Sequence, residues 1–329
     1  ESALHDAVSA GRRLTCTPGV APAFVSDYLM AVAGPDTGLV DASTGDRVLA
    51  IPDSASGCDT MSVAPGPDGS ISSPGRHGRD VVVRDATTGE EVRRLTTPVA
   101  GGFAAVVAAV ALSPDSTLAA ALMPWGAGLQ VWDLATGDLV ASSEDPRAWP
   151  PDTCCYPLHI AFSPDGSRLA ATWYDHARVM DVSTGAWVTE LRGHESVVTD
   201  IAYSPDGGSL VTSSMDGTIR FWDAATGEAL TSVAAPTGQL TSLALTRDGT
   251  AMLTGDDAGL VRLWAVTDDA ARPIAEMGGL STWVYHLAAS PDGRRGAGAD
   301  GGARVVTWDI TDTGRGEVAT WPAPGAVAY

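Results

Sequence analysis

His194, Asp216 and the hydroxyls of Thr212 and Ser214 fall within one stretch, residues 191–230, which reads LRGHESVVTDIAYSPDGGSLVTSSMDGTIRFWDAATGEAL. An imidazole, a carboxylate and an alcohol are the parts of a nucleophile, base and orienting group, so this is where acyl-transfer chemistry would be sought first. His159, Asp200 and His286 form a second set, since a carboxylate that steadies an imidazole is the usual general-base pairing. The surrounding signatures are absent. The chain has no H-E-x-x-H, no G-x-S-x-G, no Gly-rich phosphate loop of the G-x-x-x-x-G-K-[ST] type and no pair of C-x-x-C motifs. Its six histidines (His5, His77, His159, His176, His194 and His286) follow no metal-binding spacing. No catalytic residue, metal or cofactor is therefore assigned, and the protein is expected not to be an enzyme.

The elements that position these residues are short. Residues 191–230 divide into four apolar or alternating runs separated by Ser-Pro-Asp-Gly, Asp-Gly and Thr-Gly turns, the pattern of four half-buried antiparallel strands. Such a sheet cannot bury both faces alone, and the unit recurs. Its first turn returns as Pro67-Asp68-Gly69, Ser113-Pro114-Asp115, Ser163-Pro164-Asp165-Gly166, Arg247-Asp248-Gly249 and Ser290-Pro291-Asp292-Gly293, with a degenerate copy at Ser26-Asp27. Its third strand ends at Val40-Asp41, Arg84-Asp85, Trp132-Asp133, Met180-Asp181, Trp222-Asp223, Trp264-Ala265 and Trp308-Asp309. That makes seven copies at about 45-residue intervals, a solenoid or propeller period.

These turns and the recurring Trp-Asp ending resemble the WD40 repeat family over most of the chain. The resemblance implies an all-β, seven-bladed WD40-type β-propeller with four antiparallel strands per blade. Blades are expected near 18–52, 58–98, 104–145, 156–192, 197–233, 239–277 and 283–321, within a single domain of 13–329, after a short N-terminal helical lead-in over 1–12. The family braces a blade with a tetrad that maps onto His194, Asp216, Trp222 and a second-strand hydroxyl, either Thr212 or Ser214. No other copy keeps the Gly-His pair, so the remaining blades are expected to rely on packing and backbone ladders. Closure of the last blade by an N-terminal strand at Arg13 to Thr17 is preferred over closure by Glu317 to Trp321. The lead-in also resembles the junction before C-terminal WD40 arrays in actinobacterial STAND-type signalling NTPases, which implies a sensor or partner-binding end of a larger bacterial regulator.

The tryptophans sort by register. Trp132, Trp222, Trp264 and Trp308 take the third-strand core position, and Trp187 and Trp321 fall in outer strands. Trp125, Trp149, Trp173 and Trp283 fall in or beside connections that emerge on one face of the ring. Tyr174, His176, Tyr285, Arg76 and Arg79 share those connections, and such a gathering of aromatics and Arg suits a binding face. Where the innermost strands begin, the register gives two sets. Ser62, Ala109, His159, Asp200, Ser242 and His286 form one, and Met61, Ala108, Leu158, Thr199, Thr241 and Tyr285 the other. One set rings the channel mouth, and a bulge would exchange them.

Composition bounds the partners. The formal charge is −20, from 40 acidic and 20 basic residues, all of them Arg. A surface this acidic repels phosphate backbones and anionic membranes, so neither nucleic acid nor membrane is expected. No apolar run reaches the roughly 18 residues of a membrane helix. The chain opens at Glu1 without a signal-peptide pattern, and Cys16, Cys58, Cys154 and Cys155 make no disulfide framework; an excised piece or a processed form of a cytoplasmic protein is expected, monomeric as an isolated domain. The expected function is a non-catalytic scaffold or sensor that takes a protein or peptide on the aromatic-rich face around the channel mouth. The alternative is a small-molecule-binding or enzymatic propeller with its site at that mouth.

Overall fold

The structure, a computed structural model, describes residues 21–33, 38–51, 62–75, 80–96, 107–123, 128–143, 158–236, 238–267, 270–302, 304–311 and 317–322. Within them lie seven four-stranded antiparallel sheets, spanning 21–50, 64–96, 109–143, 160–192, 198–234, 240–277 and 284–322, each ordered as in the chain. The first strand of each sheet touches the first strand of the next, and that of the seventh touches that of the first, which closes the ring of blades. First strands are therefore innermost and fourth strands outermost. No helix occurs among the described residues, and the helical lead-in expected at 1–12 lies outside them.

Antiparallel order within every blade divides the two faces of the ring. Turns between strands one and two, and three and four, emerge on one face, here the turn face. Connections between strands two and three, and between blades, emerge on the other, the loop face. The turn face is built from Asp side chains that bond their own backbone. In the fifth blade Asp206 Oδ1 accepts from Gly208 N at 3.0 Å and Ser204 Oγ at 2.6 Å, and Gly207 takes φ 74° in the left-handed region. The third blade puts Ser116 at the equivalent place with φ 56°, the single non-Gly residue with positive φ among those described.

Packing between sheets carries the stability. Trp132, Trp222, Trp264 and Trp308 are all among the largest fully enclosed side chains of the interior. Each such indole removes about 150–250 Å² from water, roughly 4–6 kcal/mol at 25 cal/mol per Å². The fourth blade has Met180 in place of the Trp, and its inner space is filled instead by Trp173, packed with Leu169, Ala171 and Met180 against the Leu122, Leu129 and Val131 of the third blade. In the seventh blade Gly298 leaves room for the indole, since a Cβ there would stand 2.7 Å from Trp308 Cη2 and 2.8 Å from Leu287 Cδ2.

At the closure of the ring the described residues show the C-terminal strand, while the N-terminal strand preferred from the sequence falls outside them. The outer strand of the last blade is Glu317–Pro322, paired antiparallel with Arg304–Asp309, and Arg13 to Thr17 lie outside the described residues. Among the described residues the first and last blades meet face to face. Phe24, Met30, Val32, Val40 and Ala42 pack on Ala297, Ala299 and Val305. Thr307 Oγ1 donates to Ala42 O at 3.1 Å, and Asp292 N donates to Asp27 Oδ1 at 2.9 Å.

Candidate functional site

The His–hydroxyl–Asp set of residues 191–230 is a brace. His194 Nδ1 lies 2.8 Å from Asp216 Oδ2 and His194 Nε2 lies 2.7 Å from Thr212 Oγ1, which also accepts from Trp222 Nε1 at 2.8 Å. Thr212 is thus the fourth member, and Ser214 Oγ instead accepts from Asp216 N at 3.1 Å. Desolvation pushes the Asp216 carboxyl up, but hydrogen bonds from His194, Thr218 and Glu195 N together hold it well below the usual carboxylate range. The His194 side chain has no solvent exposure, so no substrate reaches it. Half of this brace recurs in the sixth blade, where Trp264 Nε1 donates to Thr254 Oγ1 at 2.8 Å, an arrangement the missing Gly-His concealed. In the seventh blade Gly298 offers no hydroxyl, and Trp308 Nε1 donates to Gly278 O at 2.7 Å.

The second set assembles at the channel. Register shifts interrupt the inner strands between Val198 and Asp200, Leu240 and Ser242, and Val284 and His286. Each bulge turns the later residue inward. Thr199 and Thr241 are consequently driven between blades, where Thr199 Oγ1 donates to Leu240 O at 3.1 Å and Thr241 Oγ1 donates to Val284 O at 2.7 Å. The set containing His159, Asp200, Ser242 and His286 holds the channel position. It forms a belt from blade to blade. Val110 N donates to Ser62 Oγ at 3.0 Å, Leu243 N to Asp200 Oδ2 at 2.8 Å, and Leu287 N to Ser242 Oγ at 2.9 Å.

His159 Nδ1 stands 3.1 Å from Asp200 Oδ1, and the ring centroids of His159 and His286 are 5.2 Å apart. The fourth and seventh blades are three blades apart, so these imidazoles meet across the channel axis. Asp200 also accepts from Ile201 N at 2.8 Å and Ser242 Oγ at 3.2 Å. Burial pushes Asp200 up to about 6, while the charge of His286 and the donors Leu243 N, Ile201 N and Ser242 pull the other way. Burial lowers His159 to about 4; burial, and then the neighbouring His159, lowers His286 to about 4. Both rings are therefore neutral at pH 7. No hydroxyl or thiol hydrogen-bonds to either imidazole among the described residues, so a nucleophile–base pair is not assembled here. Nor do the described residues hold a group of three or more His, Cys, Asp or Glu arranged for a metal ion.

The loop face departs from the register reading. Trp173 is 5 % exposed and packs edge-on against Trp187, with centroids 5.9 Å apart and an interplanar angle of 79°. Trp187 is covered in turn by the Arg178 guanidinium at 4.5 Å. Trp173 is a core residue because Met180 leaves the volume that an indole fills in other blades. His176 is buried as well, its Nδ1 2.7 Å from Asp175 Oδ1, and it too leaves the candidate surface. Tyr174 stays 42 % exposed, and Trp283 and Tyr285 are partly exposed. Trp125, Trp149, Arg76 and Arg79 lie outside the described residues. The exposed Tyr174 had a sequence signal, its place at the tip of a connection between second and third strands, but exposure and burial of adjacent aromatics could not be separated there.

With this geometry in view, comparison with known proteins adds two findings. The family described as WD domain, G-beta repeat matches residues 185–223, the end of the fourth blade and three strands of the fifth. The serine-threonine kinase receptor-associated protein of Dictyostelium discoideum is 40% identical over 74 residues, 22% of this chain and 24% of that protein. The target of rapamycin complex subunit wat1 of Schizosaccharomyces pombe is 40% identical over 65 residues, 19% and 21% of the two chains. The U3 small nucleolar RNA-associated protein 21 homolog of the same yeast is 34% identical over 95 residues, 29% of this chain and 10% of the relative. The match thus spans a quarter or less of each of these relatives. A WD40 repeat on a seven-bladed, four-stranded propeller is what sequence and fold share.

Proposed function

We propose that the protein is a non-catalytic interaction scaffold that takes a protein or peptide partner on its loop face, around the channel mouth, as the sensor end of a larger cytoplasmic bacterial regulator. The observation that carries this reading is the exposure of Tyr174, with Trp283 and Tyr285 partly exposed, on the face where the blades differ most from one another. Rigid aromatics at the rim of a preformed ring supply contact area at low entropic cost. Three things support it further. The His194 brace is sealed, the channel imidazoles lack a nucleophile, and WD40 relatives are named as a receptor-associated protein and as a complex subunit. The regulator setting rests on the resemblance of the lead-in to the junction before STAND-type arrays.

The test is a Tyr174→Ala, Trp283→Ala, Tyr285→Ala variant in a capture assay with the partner identified from the native cell. Capture should fall by roughly tenfold or more, the loss of about 1.4 kcal/mol or more expected of a hot spot. The melting temperature should move little. Capture unchanged by all three substitutions would remove this face.

A further inference from the structure

The turn face has an opening of its own. A cleft of about 540 Å³ lies between the fourth and fifth blades, with Asp165 and Arg168 on one wall and Asp206, Ala224 and Ala225 on the other. Arg168 is the first residue of the second strand of its blade. At that place the other blades carry Leu29, Ser70, Leu118, Ser209, Ala251 and Arg295. Arg295 stacks on the Tyr28 ring of the first blade, 5.6 Å from its centroid. Arg168 instead stands half-buried at the cleft.

Both charges at this cleft have bonding capacity left. Arg168 Nη1 donates to Ala224 O across the blade boundary at 3.1 Å, and among the described residues Arg168 forms no salt bridge. Its Nε and Nη2 have no protein partner and are not enclosed. Opposite, Asp206 Oδ1 accepts from Ser204 Oγ and Gly208 N, while Oδ2 stays unbonded. Those bonds, that from Ser204 first, hold the Asp206 carboxyl below the usual carboxylate range, so it is charged at pH 7. Asp165 is the contrast, since both of its oxygens accept from Ser167 Oγ and Oδ1 accepts from Ser163 Oγ as well. A cation and an anion thus share one small cleft without pairing with each other.

We propose that this cleft binds a free α-amino acid as its zwitterion, with the carboxylate on the Arg168 guanidinium and the ammonium on Asp206 Oδ2. A hydrocarbon side chain then lies over Pro164 and Ala225, the exposed apolar surface of the cleft. A guanidinium presents its N–H groups as a planar fork that takes both oxygens of a carboxylate. The volume equals roughly eighteen waters at about 30 Å³ each, within the range of small-molecule pockets. Net charge selects in the same direction. A chain of charge −20 repels a simple anion, and it draws a simple cation to the Asp turns all around this face. A zwitterion has no net charge, and here it meets one partner for each of its ends. The proposal does not depend on the loop face.

The experiment titrates the full 329-residue chain, labelled with ¹⁵N, with three matched probes: L-leucine, L-leucinamide and 4-methylpentanoate. L-Leucine should give saturable shifts at the amides of Gly207, Gly208, Ala224 and Ala225 and leave that of Tyr174 unmoved. Leucinamide lacks the carboxylate and 4-methylpentanoate lacks the ammonium, so each should bind at these amides roughly tenfold or more weakly. Arg168→Gln should abolish the shifts, while the triple variant of the loop face should retain them, so the two proposals fail separately. No saturable shift with L-leucine would overturn the proposal. So would leucinamide acting as strongly as leucine, the mark of a merely acidic surface, or 4-methylpentanoate doing so. The wild-type series decides the matter even where Arg168→Gln does not fold.

Discussion

His159 Nδ1 and Asp200 Oδ1 approach to 3.1 Å across the boundary between the fourth and fifth blades, and Asp200 at the same time holds Leu243 N of the sixth blade at 2.8 Å. One carboxylate thus ties three consecutive blades at the channel wall. Its work is structural: it replaces, between inner strands, the hydrogen bonds that separate sheets do not make to one another. A propeller becomes stable when its ring closes, so such ties count at every blade boundary.

Removing that carboxylate should therefore be costly. Asp200→Ala leaves Leu243 N and the His159 ring proton without their buried acceptor, and the expected loss is about 3 kcal/mol. The urea midpoint of the full chain measures it. A loss under roughly 0.5 kcal/mol, the level of an ordinary surface change, would show that the belt is not a tie.

The same belt sets a pH dependence. Asp200 is raised from 3.8 to about 6, so its contribution is complete below 3.8 and is lost as the pH rises through about 6. His159 and His286 are lowered from 6.5 to about 4, so theirs is complete above 6.5 and is lost as the pH falls through about 4. Two groups oppose one, and stability should rise between pH 4 and pH 6.5. His286→Gln should flatten that rise in urea titrations run at each pH, and an unchanged slope in the variant would count against the assignment.

The brace of the fifth blade allows a sharper comparison. Thr212→Val strands the buried Trp222 Nε1 donor and one nitrogen of His194, for an expected loss of about 2–4 kcal/mol. Ser214→Ala removes only the acceptor of Asp216 N, for about 1 kcal/mol. Thermal or urea melts of the two variants should keep that order, and the reverse order would assign the hydroxyl to Ser214.

Adjacent aromatics of the fourth blade should behave in opposite ways. Trp173→Ala empties a core site and should cost about 3–5 kcal/mol, while Tyr174→Ala should stay within about 0.5 kcal/mol. Equal effects would contradict the division of this connection into a core half and a surface half.

That division shows what the sequence could and could not carry. The repeat was readable because each Asp-Gly and Thr-Gly turn, and each third-strand Trp, answers a local demand: a left-handed φ at Gly207, or a volume to fill at Trp222. The His194, Asp216 and Trp222 brace was readable through the resemblance to the WD40 family, whose tetrad maps onto these residues. What local pattern leaves open depends on neighbours distant in sequence. Trp173 is buried because Met180, not a Trp, stands on the strand beside it. His286 reaches His159 because a one-residue bulge at Val284 and His286 turns it into the channel from three blades away. The choice between the two inner-strand sets turned on those bulges. The outer strand of the last blade turned on whether the chain end or its start lies beside Arg304–Asp309, which the register of short strands does not fix.

The most direct measurement of the central claim places a photo-crosslinking residue at Tyr174 on the loop face and, separately, at Ala225 on the turn face, in the protein inside its native cell. A protein partner should be trapped from Tyr174 and not from Ala225, and Trp283→Ala should diminish the product. Trapping from Ala225 alone, or equally from both, would contradict a loop-face scaffold.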